Sequence, residues 1–146
     1  MHTKDRFFSD NPKIGIIGLG LIGGSAAKAF KANTSFSVLG CDKNEEVIKK
    51  AVFSGAIDGE MKNLSDCDLI IVALYPEAAA DFIEKNSANI KKGALVTDFC
   101  GVKGYICKRI ELIAEKCGFY YIGAHPMAGI ERFGFESSKP DLYEGA

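Results

Sequence analysis

His125 stands in "GAHPMAG" (123–129), between two alanine-glycine pairs. Histidine is a residue type that can take a proton from a substrate hydroxyl at physiological pH. Pro126 holds the residue before it in extended backbone and so helps aim the side chain. The same histidine could equally cap a strand or satisfy a buried loop, and the residue types leave both open. Upstream, "TDFCGVKG" (97–104) brings Asp98 and Lys103. Lys103 reads either as a substrate or cofactor contact or as an ordinary lysine at a helix start, and Asp98 as a carboxylate bonding the amides of its own turn.

A second chemistry is written in "GIIGLGLIGGS" (15–25), which contains Gly18-x-Gly20-x-x-Gly23. The spacing alone is weak in a chain with 16 glycines. Context strengthens it, because the motif follows an apolar run, opens an amphipathic one, and is answered by Asp42 at the end of the next apolar run. Gly18 permits the tight turn, Gly20 lets the backbone approach a pyrophosphate, and Gly23 lets helix lie against strand. The amides around Leu21 and Ile22 then face the anion with the helix dipole behind them. Asp42 can accept both hydroxyls of an adenosine ribose and would repel a 2′-phosphate, so NAD is favoured over NADP. Lys43, beside it, is the one residue that would soften that preference. Leu74 and Tyr75, ending the third apolar run, complete the expected cofactor contacts.

These residues need elements to carry them. "KIGIIG" (13–18) is continuously apolar, as a strand covered on both faces is, and a helix should run from about Leu21 to Ala32. "FSVLGCD" (36–42) predicts a second strand. "NEEVIKKAVFSG" (44–55) predicts a helix, with Asn44 as N-cap and Gly55 as stop. "DCDLIIVALYP" (66–76) gives a third strand closed by Pro76, followed by a helix over 77–90. "GALVTDFCG" (93–101) and "FYYIGAHP" (119–126) give the fourth and fifth strands, with a periodic helix over 104–118 between them. This βαβαβαβαβ order requires right-handed crossovers, hence an α/β fold: a doubly wound parallel sheet of Rossmann type. Ligands bind beyond the carboxyl ends of such strands, where both loops of interest lie.

Composition narrows the partners. The 146 residues are 47% hydrophobic, enough for one domain with its own core. Eighteen basic residues against nineteen acidic ones leave a charge of −1, which argues against nucleic-acid or anionic-membrane partners. No apolar stretch approaches the roughly 20 residues of a membrane span, and the N-terminus lacks the pattern of a signal peptide, so a cytoplasmic protein is expected. Five cysteines without a CxxC pair read as reduced packing residues rather than disulfides or a zinc site.

Together, "GLGLIGGS" (18–25), "CDKN" (41–44), "TDFCGVK" (97–103), "GAHPMAGIE" (123–131) and "DLYEGA" (141–146) resemble the nucleotide-binding domain of the prephenate and arogenate dehydrogenases. The resemblance implies an NAD-dependent oxidative decarboxylation of prephenate in tyrosine biosynthesis, with His125 matching the family histidine that meets the substrate hydroxyl. It departs from the family at Gly101, where a serine is common. It also implies a fragment: the family's C-terminal helical domain, which completes the substrate pocket and the homodimer, would lie outside this sequence. Arogenate as substrate, or a non-catalytic NAD-binding module, are the competing readings.

Overall fold

The computed structural model describes residues 8–146. Six parallel strands form one sheet in the order β3-β2-β1-β4-β5-β6. They are β1 (Lys13–Ile17), β2 (Ser37–Cys41), β3 (Gly59–Glu60), β4 (Leu69–Val72), β5 (Leu95–Asp98) and β6 (Tyr120–Gly123). Four helices make the crossovers: α1 (Leu21–Asn33), α2 (Glu45–Phe53), α3 (Pro76–Asn86) and α4 (Gly104–Cys117). Strand order reverses between β1 and β4, so the crevice of this doubly wound sheet opens above their carboxyl ends.

Each helix starts and stops for a local reason. Asn44 accepts the Glu46 amide at 3.0 Å and caps α2, and Gly55, at φ 74°, turns the chain out behind it. Pro76 opens α3, where its missing N–H costs nothing. Gly118 ends α4 in the left-handed region at φ 82°. The sequence-expected helix over 77–90 closes earlier, at Asn86, and a 3-10 turn, Ser87–Asn89, completes the span.

Two cores flank the sheet. Ile14, Ile16 and Ile71 face α1 and α2 with Ala26, Ala27, Ile48 and Ala51. Ile70, Val72 and Val96 face α3 and α4 with Ala80, Ile83, Ile106 and Ile110. Ile16, Ile106 and Ile110 are fully buried, each worth about 1.5–3 kcal/mol of apolar transfer. β1 is inaccessible after Lys13, as its unbroken apolar run requires.

The register decides what stands at the mouth. Ile17 pairs with Cys41 and with Val72, Val72 with Asp98, and Asp98 with Gly123. These five residues form one row, and the next residues of each strand emerge together above it. β3 was not anticipated: Gly59–Glu60 runs beside Leu39–Gly40 at the sheet edge.

Candidate functional site

The glycine turn leaves β1 at Gly18, whose φ of 87° only glycine adopts freely. A Cβ there would lie 2.5 Å from the Ala73 carbonyl oxygen, and one on Gly23 would lie 1.8 Å from the Gly18 carbonyl oxygen. Strand, turn and helix therefore interlock backbone to backbone. Gly20, the N-cap of α1, is different: a Cβ on it would meet nothing within 4 Å. The space above Gly20 is open, and no side chain caps α1 there. The amides of such a first turn can receive an anion.

Asp42 braces this turn. Its Oδ2 accepts the Leu19 amide at 2.8 Å and its Oδ1 accepts the Asn44 amide at 2.9 Å. A carboxylate has about four acceptor directions, so two remain for a diol. Lys43 is exposed and makes no hydrogen bond or ion pair among the described residues. Leu74 stands half-buried behind Gly18, and Tyr75 is 86% exposed at the start of α3. A cavity of about 540 Å³, which no sequence motif foretold, is lined in part by Cys41, Met61, Leu64, Phe82 and Asn86. It adjoins Asp42 through Cys41, but its residues come from separate segments with no shared pattern.

The second cluster joins β5, α4 and β6. Asp98 is fully buried and accepts the Cys100 amide at 2.9 Å, the Tyr121 hydroxyl at 2.5 Å and the Lys103 ammonium. Burial alone would raise the Asp98 carboxyl; Lys103, Tyr121 and the Cys100 amide outweigh it and hold it below the usual carboxylate range. Lys103 turns its side chain inward to Asp98. Burial, aided by Asp98, pushes the Cys100 thiol up to about 12, and its Sγ lies 3.4 Å from the Leu74 carbonyl oxygen. Cys100 is therefore a packing residue with no thiolate to offer at neutral pH. All five cysteines are free.

His125 sits on the loop after β6, exposed at the sheet mouth. The position of a Cβ on Gly101 would be 3.5 Å from His125 Nε2 and 3.6 Å from Cε1. The two segments singled out from sequence thus meet: an imidazole faces a residue with no side chain. Met127, two residues on, has a left-handed φ of 52° and is 79% exposed.

One contribution had no sequence signal. Residues 135–143 fold back over α1. Lys28 donates to the Ser138 carbonyl at 2.9 Å, the Lys139 amide donates to Ser25 Oγ at 2.9 Å, and the Tyr143 hydroxyl donates to the Ile22 carbonyl at 2.6 Å. The last bond ends on the first turn of the glycine-motif helix. Among the described residues no three His, Cys, Asp or Glu side chains gather as a metal would need, and no helix is long and apolar enough to cross a membrane.

The family model of the prephenate dehydrogenase nucleotide-binding domain matches residues 26–146. The prephenate dehydrogenase of Lactococcus lactis subsp. cremoris is 34% identical over 139 residues, which is 92% of this chain and 39% of the relative. The crystal structure of Aquifex aeolicus prephenate dehydrogenase with hydroxyphenyl propionate and NAD+ superposes with a TM-score of 0.84 at 31% identity, covering 94% of this chain and 49% of that one. Synechocystis arogenate dehydrogenase gives a TM-score of 0.81 at 27% identity, covering 89% and 46%. The chain thus spans half or less of the length of these relatives.

Proposed function

The chain belongs to the family of prephenate dehydrogenase nucleotide-binding domains, and from that premise we propose that it is the NAD-binding domain of an enzyme converting prephenate to 4-hydroxyphenylpyruvate and carbon dioxide in tyrosine biosynthesis. When bound, NAD supplies the hydride acceptor. In this reading Gly18, Gly20, Leu21, Ile22 and Gly23 receive the pyrophosphate, Asp42 the adenosine ribose, and Leu74, Tyr75 and the cavity beside Cys41 the adenine side. Asp42 favours NAD over NADP, since its two remaining acceptor directions suit a diol and its charge opposes a phosphate.

His125 carries the chemistry. As the ring carbon loses hydride, its hydroxyl becomes carbonyl-like and gives its proton, or its hydrogen bond, to the imidazole. Loss of the ring carboxylate as carbon dioxide then sends electrons into the ring, and the phenolate oxygen recovers the proton from His125. The overall balance is prephenate plus NAD+ giving 4-hydroxyphenylpyruvate, carbon dioxide and NADH, and aromaticity makes the return unfavourable. The observation that supports this most is the meeting of His125 with Gly101 at the same end of the sheet as the glycine turn.

The two substrate carboxylates require cations, and Arg109 is not free for them, being engaged by Asp81 and Glu84 on the α3 and α4 surface. We assign their recognition, and the homodimer, to a further helical domain of a longer cytoplasmic polypeptide. Arogenate is the second substrate to test, given the likeness to the Synechocystis enzyme. Gly101, with no hydroxyl beside His125, favours the contrasting reading of a non-catalytic NAD-binding module.

One experiment separates them. Calorimetric titration of this chain should show NAD binding more tightly than NADP. In a polypeptide extended to the length of its relatives, NADH formation with prephenate or arogenate should fall about 100-fold or more in His125→Asn, the scale of a lost general base. A parent that binds NAD yet is silent with both substrates establishes the module reading, and no NAD binding at all sinks both.

A further inference from the structure

Asp98 is bonded to the immediate neighbours of both candidate site residues. Its carboxylate accepts the amide of Cys100, which precedes Gly101, at 2.9 Å. Its carbonyl oxygen accepts the amide of Ala124, which precedes His125, at 3.0 Å. The carboxylate is also gripped by the Tyr121 hydroxyl from β6 at 2.5 Å and by the Lys103 ammonium from the start of α4. Three elements therefore converge on one fully buried anion.

Charge-assisted bonds of this kind are short and directional, and inside a low-dielectric core they hold geometry more firmly than surface pairs do. The packing around them is equally close. A Cβ on Gly123 would lie 2.7 Å from Cys107 Sγ and 3.2 Å from Lys103 Cδ, so β6 rides directly on the network's side chains. Tyr121 is steered by Cys107, whose Sγ lies 3.7 Å from its hydroxyl oxygen. No buried side-chain polar atom among the described residues lacks a partner.

A buried carboxylate and a lysine tied to it are costly to desolvate and contribute little net stability on their own. Their placement instead suits them to fix at a set separation the two loops that leave the paired strands β5 and β6. We propose that Asp98 is the positioning residue that holds His125 over Gly101, with Lys103 and Tyr121 as its orienting partners. Lys103 then contacts neither substrate nor cofactor, and acts only through Asp98. The proposal deepens the functional reading by naming what aims its proton acceptor, but the geometry it concerns is independent of the reaction.

Proton NMR on this chain tests it directly. One Gly101 α-proton points along the direction of a Cβ that would lie 3.6 Å from His125 Cε1, so a nuclear Overhauser cross-peak is expected between the imidazole Hε1 and that α-proton. Tyr121→Phe removes one donor and leaves the ring packed; Asp98→Asn removes the anion. The expected result is loss of the cross-peak in both variants while amide dispersion elsewhere is kept. Should Asp98→Asn fail to fold, Tyr121→Phe decides alone. A lowered melting temperature with the cross-peak at full intensity overturns the proposal, because a merely structural network would behave that way. Absence of the cross-peak in the parent chain overturns it too. NAD added to the same samples keeps the two readings apart: a parent that shows the contact and binds no NAD retains Asp98's role and removes the proposed function.

Discussion

An added methyl on Gly23 would collide with the Gly18 carbonyl oxygen at 1.8 Å, while the same methyl on Gly20 would meet nothing within 4 Å. The first glycine is fixed by packing, and the second stands free of it, as the proposed pyrophosphate contact requires. Gly23→Ala should therefore lower stability by about 3 kcal/mol, the upper range for overpacking, read as a shift in urea midpoint. Gly20→Ala, at a φ of −73° that any residue adopts, should cost no more than about 1 kcal/mol, the N-cap preference of glycine over alanine. It should nonetheless weaken NAD binding about tenfold, or roughly 1.4 kcal/mol, by filling the approach to the helix amides. Equal stability losses in the two variants would undo the distinction. At this scale Gly18, Gly23 and Asp42 were legible in the sequence, because each fills a role against the backbone that few other residue types can. The pairing of Lys103 with Asp98 was not, since a lysine at a helix start has the same sequence signature whether it faces water or a buried carboxylate.

The strands and helices that bring these residues together were equally uneven in legibility. β1 and β4 show as unbroken apolar runs because both of their faces are covered. β3 has no such run: Gly59–Glu60 is a strand only because β2 offers it an edge. The segment over α1 is held by the isolated apolar anchors Phe135 and Tyr143 and by single polar bonds rather than by a periodic face, so no pattern predicts it. Its seat is nonetheless tight, for a Cβ on Gly24 would lie 2.9 Å from both Phe135 Cδ2 and Ser138 Oγ. Gly24→Ala should push the segment away, costing about 1–3 kcal/mol and exposing the bond after the buried Phe135 to chymotrypsin. Unchanged proteolysis there would mean that α1 and this segment are not coupled. Because Tyr143 bonds Ile22 in the same helix, the variant should also slacken the first turn that the pyrophosphate is proposed to meet.

Across the whole molecule, three carboxylates pin the parallel sheet where hydrophobic contacts do not reach. Asp68 accepts the Lys13 amide at 3.0 Å and the Lys91 ammonium at 2.5 Å, tying β1 to the turn before β4. Asp58 accepts the Val38 amide at 2.8 Å and the Lys31 ammonium at 2.6 Å, tying β2 to α1. Asp98 ties β5 to β6 and α4. Burial opposes the charge on each, yet the lysines and backbone amides prevail and hold all three below the usual carboxylate range. A depressed carboxyl stabilises the fold fully above its unfolded value, about 3.9, and that contribution is lost as pH falls toward the folded value. At the other end, burial raises Cys67 to about 11 and Cys100 and Tyr143 to about 12. Groups raised in this way stabilise below their unfolded values, about 8.5 for cysteine and 10 for tyrosine, and lose that contribution as pH rises through the folded ones. Urea midpoints measured under reducing conditions should accordingly hold level from about pH 5 to 8 and decline on both sides. The acid limb should flatten in Asp68→Asn, which has one such carboxyl fewer to protonate. A midpoint unchanged down to about pH 3, below the unfolded carboxyl value, would show that these bonds form equally well with protonated acids, and would leave the apolar cores as the sole fastening of the sheet.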